Sequence, residues 1–276
     1  MNLLNIVNEI EKADPEVYER LDDRRGALKQ FTSFAGKVAA VSLPFMIGSM
    51  FKKAYGQTST PTVMDVLQYA YKLENLEAEF YKQVANSTAV PAADKPGFLS
   101  IRDHEVAHVN FLKGVITSMG GTAQTYTAAN FDFTAHGSYP DVMTNYTTLL
   151  AVSQAFEDTG VRAYKGQAGN LISNKTVLQA ALQIHSVEAR HASHIRYLRQ
   201  RAGAAVKPWV TGSGTTASGG VASTTSVYAG EDNTVQAGVQ ITGINGISIS
   251  SNAASESFDE PLDMTAVVNI ITPFLV

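Results

Sequence analysis

Ile101-Arg102-Asp103-His104-Glu105-Val106-Ala107-His108 has a counterpart 83 positions further along the chain, Ile184-His185-Ser186-Val187-Glu188-Ala189-Arg190-His191. At this one shift Ile101 falls on Ile184, Glu105 on Glu188 and His108 on His191. The same shift of 83 carries Glu74 onto Glu157 and Tyr81 onto Tyr164. Each half of the repeat therefore supplies a lone glutamate, a tyrosine two turns later, and a Glu-x-x-His. Three-residue spacing puts the glutamate and histidine on one face of a helix, pointing the same way.

The surroundings of these segments read as helices. Thr60 as a cap and Pro61 in the first turn open a helix over residues 60–86, where Val63, Leu67, Ala70, Leu73, Leu76, Phe80 and Val84 recur at helical spacing. A loop containing Pro91 and Pro96 leads to a second helix that stops near Met119 at Gly120-Gly121. Pro140 opens a third, running through Leu149, Val152, Phe156, Val161 and Tyr164 to about Ile172. Asn174 caps a fourth, carrying Val177, Leu178, Ala181, Ile184, Ile195 and Leu198 until Gly203 ends it. Short connections make each successive pair an antiparallel hairpin. The 20 residues 120–139 between the hairpins reach roughly 60 Å when extended. A 24-residue helix is only about 36 Å long, so this segment can cross the whole bundle.

Two hairpins related by a pseudo-twofold axis bring Glu74, Glu105, His108, Glu157, Glu188 and His191 together. One glutamate from each of two helices, with Glu-x-x-His from each of the other two, resembles the ligand set of the ferritin-like di-iron and di-manganese carboxylate proteins. The resemblance implies an all-α, ferritin-like four-helix bundle with a long crossover between its second and third helices. It also implies two metal ions, iron or manganese, as cofactors. Charge supports it: four ionised carboxylates in a bundle core are costly unless paired, and two divalent cations neutralise them. Tyr81 and Tyr164 are then placed to hydrogen bond to the ligand shell. Reaction with dioxygen or peroxide, of a ferroxidase-like or manganese-catalase-like kind, is the leading expectation. A stress-protective protein with a non-catalytic metal site is the alternative, and an iron-storing shell is a third.

Leu73-Glu74-Asn75-Leu76-Glu77-Ala78-Glu79-Phe80-Tyr81, with the two Glu-x-x-His segments and Phe258-Asp259-Glu260-Pro261-Leu262, is similar to the ferritin-like proteins called desiccation- or stress-related. His104-Glu105-Val106-Ala107-His108 is also a literal His-Glu-x-x-His, which elsewhere marks a zinc metalloprotease helix with both histidines on one ion. Against the protease reading, His104 has Val187 as its repeat partner, and Phe111 stands where a metzincin carries glycine. Glu77 and Glu79 read as solvated surface residues, since the position matching Glu77 is Gly160.

The rest of the chain narrows the possibilities. A formal charge of -4 with no basic stripe disfavours nucleic acid. The absence of cysteine excludes thiolate metal sites, iron–sulfur clusters and disulfides, leaving oxygen and imidazole ligands. Residues 1–57 resemble a twin-arginine export signal: Arg24-Arg25-Gly26-Ala27-Leu28-Lys29 precedes an uncharged run over 38–51. That run is shorter than the roughly 20 residues a bilayer span needs. The expectation is a periplasmic or cell-surface protein with no stable membrane span, and a homo-oligomer is left open. An amphipathic helix packing on the bundle is the other reading of this segment. The bundle is assigned to residues 58–206. Of residues 211–226, 13 are Gly, Ser or Thr, which reads as a flexible linker. Within 207–276, Val235, Ala237, Val239 and Ile241 alternate as in a strand, as do Ile247 and Ile249, and residues 261–271 read as a short helix packing on the bundle.

Overall fold

A computed structural model of the protein describes residues 61–276; the export-signal reading and the expected Thr60 cap lie outside them. Helix α1, Val63–Asn86, starts at Thr62, whose side chain accepts from the Asp65 backbone while Asp65 reaches back to Thr62. This reciprocal capping box satisfies two of the donors a helix start leaves free. Helix α2, Lys95–Ser118, takes Pro96 into its first turn rather than leaving it in the loop, since proline has no amide hydrogen to lose there. It ends at Gly120, φ 80°, where the Gly121 amide bonds back to the Ile116 carbonyl at 2.9 Å.

Helix α3, Tyr146–Gln167, begins six residues after Pro140, because Asn145 caps it through the Thr147 and Thr148 amides. Pro140 belongs to the turns that precede it. A short 3-10 segment, Ala168–Leu171, prolongs it. Helix α4, Lys175–Arg201, is capped by Asn174 as expected, and Gly203 closes it with φ 93°.

Helix α1 packs chiefly on α2 and α3 chiefly on α4, so the bundle is two hairpins. The crossover between them is not bare chain. Its Phe131, Phe133, Tyr139 and Val142 are buried in the same cluster as Phe80, Phe156 and Phe274. Phe80 meets Phe156 edge-on at 5.0 Å and Phe133 at 5.3 Å. Burying each such ring is worth about 1.5–3 kcal/mol.

The C-terminal segment departs from the expected linker. Residues 214–217 form a short helix α5, Gly214–Ala217, followed by a 3-10 stretch, Ala222–Tyr228. Ala217, Val227 and Tyr228 are buried against Ala155. The predicted single strand is instead a hairpin: β1, Val235–Gln236, and β2, Val239–Gln240, pair antiparallel. Ala237 and Gly238 turn between them with positive φ, the backbone of a two-residue hairpin turn. Residues 247 and 249 form no strand. A short helix α6, Ser251–Ser255, and then α7, Met264–Ile271, capped by Asp263, complete the segment.

Apolar contacts of Leu262, Val267, Ile271 and Phe274 seat this segment on the bundle, and buried arginines hold it by its backbone. Arg196 forks onto Asp158 at 3.1 and 2.5 Å, and the Tyr228 hydroxyl donates to the same carboxylate at 2.7 Å. Arg199 donates to Gln154 at 2.6 Å and to the Ser218 carbonyl at 2.8 Å. Arg162 donates to the Glu260 and Ala229 carbonyls and pairs with Glu231 at 2.8 Å. Composition without a hydrophobic period gave no hint of this, because backbone carbonyls of any sequence can accept from buried arginines.

Candidate metal centre

The two hairpins bring all six repeat residues into the bundle core. Glu74 comes from α1, Glu105 and His108 from α2, Glu157 from α3, Glu188 and His191 from α4. The four glutamates have no solvent exposure, and His108 and His191 keep only 9% and 5%. His108 Nδ1 lies 3.0 Å from Glu74, 3.2 Å from Glu105 and 3.3 Å from Glu188. His191 Nδ1 lies 2.9 Å from the other oxygen of Glu105 and 3.2 Å from Glu157.

Potential donor atoms fall into two groups, each lying within 4.8 Å of one another: Glu74, Glu105, His108 and Glu188 in one, Glu105, Glu157, Glu188 and His191 in the other. Glu105 and Glu188 belong to both. Buried Oε1 of Glu157 and Oε2 of Glu188 have no hydrogen-bond partner. Orphaned buried acceptors of this kind are rare in folded proteins and call for an explanation. A cation supplies one, since carboxylate oxygens with imidazole nitrogens beside them are the donors that iron, manganese and zinc accept.

The electrostatics agree. Burial pushes the Glu74 carboxyl up to about 8, and the neighbouring Glu105 charge adds to the shift. Burial likewise raises Glu157 and Glu188. At Glu105 burial pulls the same way but is outweighed by hydrogen bonds from His108 and His191, which hold it down to about 2. Burial would lower His191, yet the charge of Glu157 and the contact with Glu105 raise it to about 11. His108 is raised against its own burial by Glu105, Glu188 and Glu74. Without cations, protons on the imidazoles and most of the carboxyls balance the cluster.

The tyrosines are placed across the hairpins rather than along them. The Tyr164 hydroxyl donates to Glu74 of the opposite hairpin, not to Glu157 on its own helix. Tyr81 sits by Glu157, whose charge adds to burial in raising its phenol, and its hydroxyl makes no hydrogen bond.

Three expectations need correction. Glu77 is no surface residue: it is 4% exposed, and burial with the nearby Glu188 charge raises its carboxyl well above the usual range. Its room comes from Gly160, where an added Cβ would lie 2.9 Å from Glu188 and 3.4 Å from Glu77. Glu79 is partly covered and pairs with Lys82 at 2.6 Å. His104, outside the repeat, still meets the cluster: its Nδ1 stands 2.9 Å from His191 Nε2, with the rings stacked 13° from parallel. It contacts the outer nitrogen of a candidate ligand, where a partner sets tautomer and ring orientation. Since His104 is exposed and turned to His191, it does not share an ion with His108, and the zinc-protease geometry is absent among the described residues.

Among the described residues no helix is long and apolar enough to cross a membrane. The family model described as ferritin-like domain matches residues 62–201, just over half of the chain. No curated protein matches the sequence.

Proposed function

The chain belongs to the ferritin-like domain family, and from that premise we propose that it holds a dinuclear iron or manganese centre and reacts with dioxygen or peroxide. The observation that carries the reading is the pair of four-residue donor groups sharing Glu105 and Glu188. Glu74 and His108 would serve one ion, Glu157 and His191 the other, and the two shared glutamates both. Such a pair, when bound, supplies redox equivalents toward dioxygen or peroxide.

The chain's own residues do the rest. Tyr164 holds Glu74 by its hydroxyl hydrogen, and His104 orients His191 from outside. Complete burial of the four glutamates keeps bulk water from them and so strengthens every charge interaction within. Iron and manganese use the same oxygen and imidazole donors, so both belong to the proposal. Export through a twin-arginine signal is part of it too, supported by Arg24-Arg25 and the uncharged run behind them.

Metal analysis of the purified full chain tests the reading. Fewer than about one ion per chain, in protein loaded with either metal, overturns it. A second reading, a stress-protective protein whose ions only rigidify the fold, draws on the complete burial of the four glutamates, because a closed site suits a structural role. Consumption of peroxide, or of dioxygen with ferrous ion, by the loaded protein separates the two.

A further inference from the structure

At the end of the bundle where α1 begins and α2 ends lies a partly open cavity of about 120 Å³. Its wall is apolar, formed by Val66, Ala70, Leu112, Ala181, Ile184 and the ring of Tyr164. Ala70, Leu112 and Ile184 stand four positions from Glu74, His108 and Glu188 on their respective helices. Four positions is one helical turn along the same face, so the cavity is the next layer of the bundle above the candidate metal ligands. Tyr164 belongs to both layers: its ring lines the cavity and its hydroxyl donates to Glu74.

Size and chemistry define what fits. An apolar cavity of roughly 150 Å³ stays dry and takes up benzene or xenon, because water finds no polar partners there. The cavity in this bundle is slightly smaller and equally short of polar wall. Its edge reaches the exposed Phe111 and Thr176, where the lining meets solvent.

We propose that this cavity binds a small apolar molecule, no larger than about a benzene ring, and presents it one helical turn from the metal ligands as the co-substrate of the centre. The binding part stands on the cavity alone; the co-substrate part rests on the dinuclear reading. A gas such as dioxygen and a small hydrocarbon group share this chemistry, and the probes tell them apart.

The full chain, metal-free and metal-loaded, is titrated with xenon and with benzene, each followed by nuclear magnetic resonance. Saturable uptake is expected in both forms. Xenon alone marks a gas-sized occupant, and xenon with benzene marks a hydrocarbon. Ala70→Leu and, on the opposite hairpin, Ala181→Leu fill the cavity from either side, so that one suffices if the other does not fold. Each is expected to abolish uptake and leave metal content unchanged. In manganese-loaded protein, bound xenon should relax faster than in zinc-loaded protein, as a paramagnetic ion one turn away requires. No saturable uptake of either probe, or uptake unaltered in a folded filled variant, overturns the binding site. Equal xenon relaxation with manganese and zinc, at matched metal content, overturns its adjacency to the centre. Metal content below one ion per chain with uptake intact removes the dinuclear reading and leaves the binding site standing.

Discussion

In the first hairpin α1 and α2 carry Asn75, Glu79 and Lys113 at positions that the second hairpin, at the same shift of 83, fills with Asp158, Arg162 and Arg196. The two hairpins agree at the six candidate ligands and differ at these three positions. In the first, Lys113 is exposed and Glu79 pairs with Lys82. In the second, Arg162 and Arg196 are buried under the C-terminal segment and hold it by its carbonyls. Inward positions answer to a shared set of charges, whereas outward positions answer to whatever covers them. A repeat can be exact at one and absent at the other within a single turn.

The comparison can be broken most severely at its common part. Glu105→Ala removes a residue of both donor groups and should drop metal content from two ions to below about one per chain, read by elemental analysis; Glu74→Ala, which belongs to one group, should spare the other ion. If both variants lose metal equally, the sharing of Glu105 has no role.

The outward difference is tested next. Asp158→Ala leaves Arg196 buried without its partner and should cost about 3–5 kcal/mol in chemical denaturation. The matching Asn75→Ala removes only a hydrogen bond to the Tyr71 carbonyl and should cost about 1 kcal/mol. Equal losses would mean that the C-terminal clamp contributes nothing special.

A pH series sharpens the inward part. In the metal-free fold Glu74 is raised to about 8 from an ordinary 4.5. Its raised value means that the metal-free fold gains stability from the bound proton below about 4.5 and loses that gain as pH rises through about 8. Metal needs the ionised form, so the stability gap between loaded and metal-free protein should widen across this window, by up to about 1.4 kcal/mol per pH unit for each proton displaced. Thermal unfolding with and without metal reads it, and a gap that narrows with pH would contradict the charge assignment.

Two glycines give the smallest contrast. An added Cβ at Gly166 of α3 would lie 1.8 Å from the Leu262 carbonyl oxygen, whereas at Gly114 of α2 it would meet nothing within 4 Å. Gly166→Ala should cost about 1–3 kcal/mol through overpacking and expose the C-terminal segment to protease. Gly114→Ala should stabilise by up to about 1 kcal/mol, the ordinary helical preference.

The bundle and its six inward residues were legible because periodicity and repeat spacing act within a helix. Asn174 announced its cap for the same local reason. Glu77 was misread because its burial depends on Gly160 across the core, a complement between helices that no single-helix pattern contains. The crossing of Tyr164 to Glu74 and the stacking of His104 on His191 are likewise set by how the hairpins face each other. The helix over 264–271 was legible from its apolar residues; the fold of 211–230 was not, because its anchors are arginines on α3 and α4, read from sequence only as charges.

Glu157 and Asp158 are neighbours on one helix: the first points into the donor groups, the second grips Arg196 and Tyr228. Under the proposed loading, a single peptide unit separates the ion donors from the grip on the C-terminal segment, and any influence of one on the other is mutual. Loading should slow amide hydrogen exchange in residues 217–229, and loosening that segment should make the ions easier to strip.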